Sequence, residues 1–484
     1  MRCLMITPDF PLWAGGFAAQ YRRLRTTGAQ LHQLQAIFGR WVGPYLLAQR
    51  EDNAFSRDRG WNLHLVFWTF LWQVAQAGSA CREAIRQAQS ACRLLDRKAP
   101  PDENSPYCTA RAKLPMETLE EIHRAVTGEA ERAVASKDLW CGLRVRVVDA
   151  TTLIAPDTAA NQKAFPQSRK QKPGCGFPLL HLIGLFSLAT GLFMAWATGS
   201  QHVQELVLLQ QLWEHLRPGD LLLGDRGFGC WGTLAQCCQR GIHGVFRARG
   251  RLRTDWRRGQ RLSKHQRLVV WKKPRHRPSY FTAEQWADFP RELTLRVIRV
   301  VVTQRGFRAR KIILVTTLLD HQAYPPAALA ELYRRRWDME LSLRHLKTTL
   351  QMEQLSCKTP ANLQRELWMH FCIYNLVRRL MFEAARKANV PLHRISFAGA
   401  LAAARRYGET LLRARSARKR KALLSELLRV LAEDLVPDRP GRREPRAVKK
   451  RPKSYPRLTF PRSQFRPEME ASRSFKRRKY RRAN

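Results

Sequence analysis

Hydrophobic and polar residues alternate with different periods along the chain, and these periods predict the order of helices and strands. Up to about residue 135, apolar residues have helical spacing and are separated by polar loops such as residues 97–106. From Leu143 to Val148, apolar and basic residues alternate, which predicts a strand that ends on Asp149. The chain is therefore expected to begin with helices and to continue into a sheet.

Two apolar stretches are long enough to raise the question of a membrane segment. Leu63–Val74 is too short to cross a bilayer and is typical of a buried helix. Phe177–Gly199 is longer, but the Ala-Thr-Gly break at residues 189–191 divides it into two runs of strand length. We therefore expect a hairpin of two buried strands there, and no membrane partner.

Strands and helices alternate in the next part of the chain. A helical pattern from His202 to Leu216 stops at Arg-Pro-Gly-Asp, and the apolar run 221–224 ends on Asp225. A helix is predicted at 231–240 and a strand at 244–247. The order β-β-β-α-β-α-β indicates an α/β fold with a mixed sheet flanked by helices.

The pattern changes again after residue 249. Residues 251–277 are very basic and contain Trp256 and Trp271, and 293–302 and 311–317 resemble two antiparallel strands. We interpret 249–320 as a β-rich insertion. Pro325-Pro326 then begins a predicted long helix that runs to about Leu350, and a further helix covers 362–387.

Charge composition indicates a polyanionic partner. The 484 residues include 86 Lys and Arg against 39 Asp and Glu, a formal net charge of +47. Nucleic acid is the polyanion that best explains such an excess, because each phosphate contact releases bound counterions. A ribosome-like structural protein remains the alternative from composition alone.

The spacing of the cysteines and the N-terminal residues indicate the cellular compartment in which the protein is expected. The 11 cysteines include no C-x-x-C pair, so a structural zinc site has no support. An odd number of cysteines without a secretory signal fits reduced thiols. We therefore expect a cytoplasmic protein.

Two acidic residues follow predicted strands and are candidate metal ligands. Asp149 lies in RVRVVDATTL and Asp225 in DLLLGDRGFG. Loops at strand ends form the crevice in which catalytic groups gather, and carboxylates there can hold Mg²⁺. Aspartate after a strand is also common in turns, so this pattern alone leaves a structural role open.

A third acidic residue lies on a polar helix face. In the spacing Tyr-x2-Arg-x3-Glu-x6-Lys, Tyr333, Arg336, Glu340 and Lys347 fall within about 60° around a helix of about 100° per residue. A solvated face with charge pairs is the alternative. A separate apolar stripe is available for packing: Leu332, Met339, Leu343 and Leu346. One acid for metal and two cations for phosphates suit phosphodiester chemistry.

This spacing resembles the YREK signature of bacterial insertion-sequence transposases of the insertion sequence four type. VVDATTL and LLLGDRGFG are similar to the first and second aspartate motifs of that family, in the same order. The resemblance extends over most of the chain from about residue 60 and leaves the first 50 residues unmatched.

The resemblance implies an RNase H-like catalytic core. It implies that Asp149, Asp225 and Glu340 form a DDE triad that binds two Mg²⁺ ions, for which Mn²⁺ would substitute. Tyr333, Arg336 and Lys347 would contact the DNA end. The implied partners are double-stranded DNA, both transposon ends and target, and a second copy of the chain in a homodimeric synaptic complex. Whether a hairpin intermediate is used stays open.

The pattern and the resemblance together predict six segments. They are a helical N-terminal domain expected to recognise DNA ends (1–135), the catalytic core in two parts (136–248 and 321–400) around the β-rich insertion (249–320), a C-terminal helical segment (401–435) and an extended basic tail (436–484). Two other readings remain: an RNase H-like nuclease without strand transfer, and an inactive DNA-binding remnant.

Overall fold

The computed structural model describes residues 33–47, 60–94, 97–248, 256, 259–302, 310–414 and 416–437, with Leu458 and Pro461. The N-terminal part of these ranges is helical, as its apolar spacing predicts. Its helices are α1 Gln33–Phe38, α2 Leu63–Ala75, α3 Cys81–Leu94, α4 Asn104–Ala112 and α5 Met116–Arg132. Almost all of the predicted basic tail lies outside the described residues.

The first apolar stretch forms a buried helix, as predicted. The side chain of Asn62 accepts a hydrogen bond from the Leu65 amide and caps α2, and all but one of the helix residues are buried. In the part of the chain that the structure describes, no helix has both the length and the apolar character to cross a membrane.

Five strands build the first part of a single sheet. They are β1 Val145–Ile154, β2 Leu179–Ser187, β3 Phe193–Ser200, β4 Leu221–Gly224 and β5 His243–Arg247. Strand β2 is antiparallel to β1 and β3, while β4 is parallel to β1 and β5, which gives the order β3-β2-β1-β4-β5. This mixed sheet confirms the predicted hairpin and is consistent with an RNase H-like fold.

Three helical segments lie between these strands. They are α6 Ala159–Ala164, α7 Glu205–Leu209 and α8 Trp231–Gln239. The helix predicted from His202 to Leu216 is shorter than expected, because its second half, Gln210–His215, is a 3₁₀ helix.

The insertion continues the same sheet. Its elements are β6 Gln260–Ser263, β7 Gln266–Lys272, α9 Ala283–Asp288, β8 Glu292–Val302 and β9 Arg310–Thr316. Strand β9 pairs with β5, and the sheet extends through β8 and β7 to β6. The predicted antiparallel pair is confirmed as β8 and β9, and the basic stretch before it contributes two strands that the sequence did not predict.

Helices complete the described chain. They are α10 Pro326–Arg335, α11 Trp337–Arg344, α12 Pro360–Ala388, α13 Phe397–Leu412 and α14 Ala417–Glu433. The prediction of one continuous helix from Pro325 to about Leu350 is wrong. The helix breaks at Arg336, and its last turn, His345–Thr349, is a π-helix.

The prediction that the first strand ends on Asp149 is also wrong. Strand β1 continues to Ile154, so Asp149 lies in its middle. The residues after Asp149 include the β-branched Thr151 and Thr152, which favour a strand, and the whole segment 146–154 pairs with β2.

The sheet separates two hydrophobic cores. Val147 packs in the core shared with the N-terminal helices and α10–α14, and the adjacent Val148 packs in the core shared with α7 and α8. Because successive side chains of a strand point to opposite faces, Asp149 lies on the same face as Val147. That face is covered by α10–α12.

A buried side-chain amide attaches α12 to the sheet. Asn375 is fully buried; its Oδ1 accepts a hydrogen bond from the Phe193 amide at 2.8 Å, and its Nδ2 donates to the Phe193 carbonyl at 2.9 Å. The first bond satisfies a buried backbone N–H of β3, and the second shares the Phe193 carbonyl with Nε2 of His123, which lies 2.9 Å from it. The long helix therefore has a fixed position against the sheet.

We predict that Asn375→Ala lowers the free energy of unfolding by about 3 kcal/mol, because it leaves the buried N–H of Phe193 unsatisfied and removes one of the two side-chain hydrogen bonds to the Phe193 carbonyl. The matched control is Gln364→Ala, which removes a half-buried hydrogen bond from the same helix to Thr198 of the same strand. Chemical denaturation should show a loss of about 1 kcal/mol or less for the control. Equal losses would contradict the role assigned to Asn375.

Candidate active site

A notch in the sheet begins beside Asp149. Strand β4 pairs with β1 only as far as Leu223, which lies opposite Val147. Beyond that point β1 pairs with β2 alone until Ile154, which forms a bridge with Gln354, and Asp149 lies opposite Gly184 of β2. The early end of β4 therefore leaves the backbone next to Asp149 without a neighbouring strand on that side.

Asp225 begins the loop that follows β4, at the same notch. Its Oδ1 accepts a hydrogen bond from the Gly227 amide at 2.6 Å. A Cβ atom on Gly227 would lie 2.9 Å from this oxygen and 3.2 Å from Oε2 of Glu205, so a side chain there would push the carboxylates away. The small residue in the Asp-Arg-Gly-Phe sequence thus permits the tight turn that holds Asp225.

Glu340 reaches the notch from the covering helices. Helix α11 packs against β1, and at Arg336, between α10 and α11, the hydrogen bonding tightens. The Arg336 amide donates to the Tyr333 carbonyl at 3.3 Å, and the Met339 amide donates to the Arg336 carbonyl at 3.0 Å. These i to i−3 bonds are characteristic of a 3₁₀ turn, which often marks a functional site within a helix.

Arg336 joins two of the three acidic residues. Its Nη2 donates to Oε1 of Glu340 at 2.9 Å, and its Nη1 lies 3.7 Å from Oδ2 of Asp149. The guanidinium carbon is 5.8 Å from the centre of the Tyr333 ring. The residue is only 8% exposed. The structure thus brings Tyr333, Arg336 and Glu340 together with Asp149.

Lys347 has a different partner. It lies in the π-helical turn, and its Nζ is 3.2 Å from Oε1 of Glu353. The Glu353 carbonyl in turn accepts a hydrogen bond from the Ile154 amide at the end of β1. A π turn has wider hydrogen-bond spacing than an α-helix, so the angular spacing of an ideal α-helix does not hold at Lys347.

Burial has the largest effect on the electrostatics of the notch. The pKa of Asp149 is raised to about 6, chiefly by burial and to a smaller extent by the carboxylates of Asp225 and Glu340, while the Ala150 amide and Arg336 oppose the rise. Burial also raises the pKa of Tyr333. Three acids from three separate elements therefore influence one another across one site.

The donor set fits a divalent metal ion in its chemistry. Carboxylate oxygens are the ligands that Mg²⁺ and similar hard cations prefer, and a bound cation would favour the ionised form of Asp149, which burial disfavours. Among the described residues, no three His, Cys, Asp or Glu side chains are gathered closely enough to enclose a metal. Arg336 instead provides the positive charge next to Asp149 and Glu340.

Several residues near the notch were not found from the sequence. His181 of β2 lies 3.7 Å from Glu205, and hydrogen bonding to that carboxylate raises the pKa of His181. Arg247 is close enough to lower the pKa of Tyr333. Arg247 ends β5, so the strand-end argument that singled out Asp225 could also have indicated it. No sequence pattern links His181 with Glu205.

The helix next to the notch also exposes apolar side chains. Trp337 is 38% exposed and Leu341 is 48% exposed, on either side of Glu340 in the sequence. His345, by contrast, stacks on Phe397 with 4.8 Å between ring centres, and burial lowers its pKa to about 4. It is therefore a packed histidine whose burial favours the neutral form.

Comparisons with known proteins agree on one family. The family profile described as "Transposase DDE domain" matches residues 140–376, which include all the acidic residues of the notch. The transposase InsG of insertion sequence element IS4 from Escherichia coli strain K12 is 27% identical over 429 residues, covering 86% of this chain and 92% of that protein.

A solved structure also has a partial likeness. The piggyBac transposase in a synaptic complex with hairpin DNA covers 86% of this chain and 85% of its own, with a TM-score of 0.40 and 10% sequence identity.

We predict that Asp149→Asn stabilises the metal-free protein at neutral pH. The pKa of Asp149 in the folded protein, about 6, is higher than its ordinary value of 3.8, so the folded state binds this proton more tightly than the unfolded state does. Stability is therefore lost as the pH rises from about 4 to about 6, and the loss persists above that. Removing the charge should restore about 2 kcal/mol at pH 7.5.

Urea denaturation at pH 4 and pH 7.5 in chelator measures this effect. Asp157→Asn, at an exposed position on the loop after β1, is the matched control and should show no comparable gain at the higher pH. If Asp149→Asn were no more stable than the wild type at pH 7.5, the burial argument would be wrong.

Proposed function

Because the chain belongs to the DDE transposases of the insertion sequence four type, we propose that Asp149, Asp225 and Glu340 hold the metal ions with which it cuts DNA. The protein is a DNA transposase, an enzyme that cleaves DNA, and enzymes of this family use divalent metal ions. The observation that carries the assignment is the notch, where Arg336 contacts both Asp149 of β1 and Glu340 of α11, and where the charge of Asp225 also acts on Asp149.

We infer that two Mg²⁺ ions bind, with Mn²⁺ able to replace them. Two such ions, when bound, stabilise the attacking and the leaving oxygens of an in-line displacement at phosphorus. The side chains of the notch hold and orient this arrangement. Asp149 is fixed by the strand and Asp225 by the Gly227 amide, so two of the three ligands are positioned by the sheet before DNA arrives.

The proposed reaction has two parts. At each terminal inverted repeat, the oxygen of water forms a bond to phosphorus and the 3′-oxygen leaves, taking a proton to become a free 3′-OH. That 3′-oxygen then bonds to phosphorus in target DNA and displaces a target 3′-oxygen, so one phosphodiester bond replaces another. Both parts require the same in-line geometry at one set of carboxylates.

Residues around the acids are proposed to hold the DNA end. The cations Arg336 and Lys347 suit phosphate oxygens, and the Tyr333 hydroxyl suits a further polar contact to the end. The exposed indole of Trp337 offers a surface on which an unpaired base can stack. We assign end recognition to the N-terminal segment 1–135 and general DNA affinity to the basic tail 436–484.

The proposal includes the assembly and the place of action. We infer a homodimer that pairs two transposon ends, and action in the bacterial cytoplasm at the nucleoid, where its DNA lies. A nuclease without strand transfer would release cut ends and join none to target DNA. An inactive remnant would bind ends and cut none, so one assay that follows both cleavage and joining separates the three readings.

We predict that Asp149→Ala, Asp225→Ala and Glu340→Ala each reduce cleavage of DNA that carries the terminal repeats by at least about a hundredfold. End binding should stay within about threefold of wild type in gel-shift assays, because positive charge in the notch is retained. Asp338→Ala is the matched control: it lies two residues from Glu340 and contacts Arg335 instead of the triad. Wild-type cleavage by any triad variant would exclude that residue.

We predict that Lys347→Ala weakens end binding and reduces the slope of log affinity against log salt by about one, as expected when one phosphate contact is lost. The measurement is end binding titrated at several salt concentrations. Lys358→Ala, a nearby lysine on the loop before α12, serves as the control and should leave the slope unchanged. An unchanged slope for Lys347→Ala would remove this residue from the DNA contacts.

A further inference from the structure

The guanidinium of Arg336 lies between the carboxylates of Asp149 and Glu340, which favour positive charge there. It is hydrogen bonded to Glu340 at 2.9 Å and lies 3.7 Å from Asp149, so one cation contacts two of the three proposed metal ligands. It is almost fully buried, at 8% exposure. In this environment the interaction of unlike charges is stronger than in water.

A metal ion and the Arg336 guanidinium cannot both occupy Oδ2 of Asp149 and Oε1 of Glu340 at the same time. A divalent ion needs carboxylate oxygens at about 2.0–2.6 Å. Oε1 of Glu340 is occupied by the hydrogen bond from Arg336. The three acids are also not gathered into a three-ligand group among the described residues. A metal that takes Oδ2 of Asp149 or Oε1 of Glu340 must therefore displace Arg336 from that oxygen.

Arg336 is itself incompletely satisfied. Its Nε is buried and has no hydrogen-bond partner, although a buried donor without a partner is costly. Its nearest aromatic neighbour is Tyr333, which offers a ring face 5.8 Å from the guanidinium carbon. A phosphate group offers what the present environment lacks, because its oxygens can accept from Nε and Nη together.

We propose that Arg336 is an internal counterion that competes with divalent metal ions for Asp149 and Glu340, and that a DNA phosphate draws it away from them. This inference rests on the proposed function, since it takes these two acids as metal ligands. Metal and DNA then bind cooperatively. A metal ion displaces Arg336 from the carboxylates, and a DNA phosphate binds the displaced guanidinium. By linkage, DNA raises the affinity for metal by the same factor by which metal raises the affinity for DNA.

The biochemical consequence is a site that stays weakly loaded until DNA arrives. Free enzyme carries its own cation between the acids, so it holds metal loosely and has little capacity to cut DNA that it has not engaged through Arg336. The opposite possibility is that Arg336 orients the carboxylates for metal, and then its removal would weaken metal binding. The two possibilities predict changes of opposite sign.

The test is calorimetric titration of Mn²⁺ into the full-length protein, first without DNA and then with a duplex that carries the terminal repeat, after subtraction of Mn²⁺ binding to the duplex alone. We expect Arg336→Gln to bind Mn²⁺ about tenfold more tightly than wild type without DNA. The duplex should tighten Mn²⁺ binding by wild type about tenfold and by the variant far less. Weaker or unchanged binding by Arg336→Gln would overturn the proposal.

Two further variants guard against indirect effects. Arg335→Gln makes the same change in net charge at the adjacent residue, which contacts Asp338 and not the triad; it should leave Mn²⁺ affinity unchanged, and an equal gain there would sink the proposal. Arg336→Lys keeps a charge but loses the fork that reaches both carboxylates, so it should fall between wild type and Arg336→Gln. Thermal melts establish that each variant is folded.

Failure of this inference is distinguishable from failure of the proposed function. Asp149→Asn is added to the Arg336→Gln background. If Mn²⁺ binding is then unchanged, the metal is not held at Asp149 and the proposed site is wrong. If Mn²⁺ binding is lost but Arg336→Gln alone had given no gain, the site stands and the competition does not.

Discussion

The charge of a carboxylate buried in a sheet needs a compensating positive charge nearby. Much of the geometry of the candidate site is related to that requirement. Asp149 lies in the middle of β1 on a covered face, where burial opposes its ionisation. The early end of β4 opens the space beside it, and the change of helix geometry at Arg336 places a guanidinium against it. The end of β4, the helix break at Arg336 and the ion pair of Arg336 with Asp149 therefore all relate to the buried charge of Asp149.

The elements with strong periodicity could be predicted from the sequence. The hairpin of β2 and β3, the short strand β4 and helix α8 were all predicted, because their apolar runs and turn residues agree. What failed were boundaries that depend on tertiary contacts. Strand β1 continues past Asp149 because β2 pairs with it, and neither β6 nor β7 was distinguishable in a stretch dominated by basic residues.

The sequence indicated candidate residues for the site, but it did not indicate their relative positions. Spacing brought Tyr333, Arg336, Glu340 and Lys347 onto one ideal face, but an ideal helix contains neither the 3₁₀ turn at Arg336 nor the π turn at Lys347. The contact between Arg336 and Asp149 joins positions far apart in the chain, so no local pattern could reveal it. The same is true of the pairing of His181 with Glu205.

The continuity of the sheet through the insertion limits how this architecture can vary. Strand β5 is hydrogen bonded on one side to β4 and on the other to β9, the last strand of the insertion. Loss of the insertion strands would leave β5 with a row of unpaired backbone groups, an edge prone to pairing with other chains. A copy of the gene that lacks the insertion strands would thus encode a protein that is prone to aggregation as well as inactive. Such a deletion would harm the host cell in addition to ending transposition.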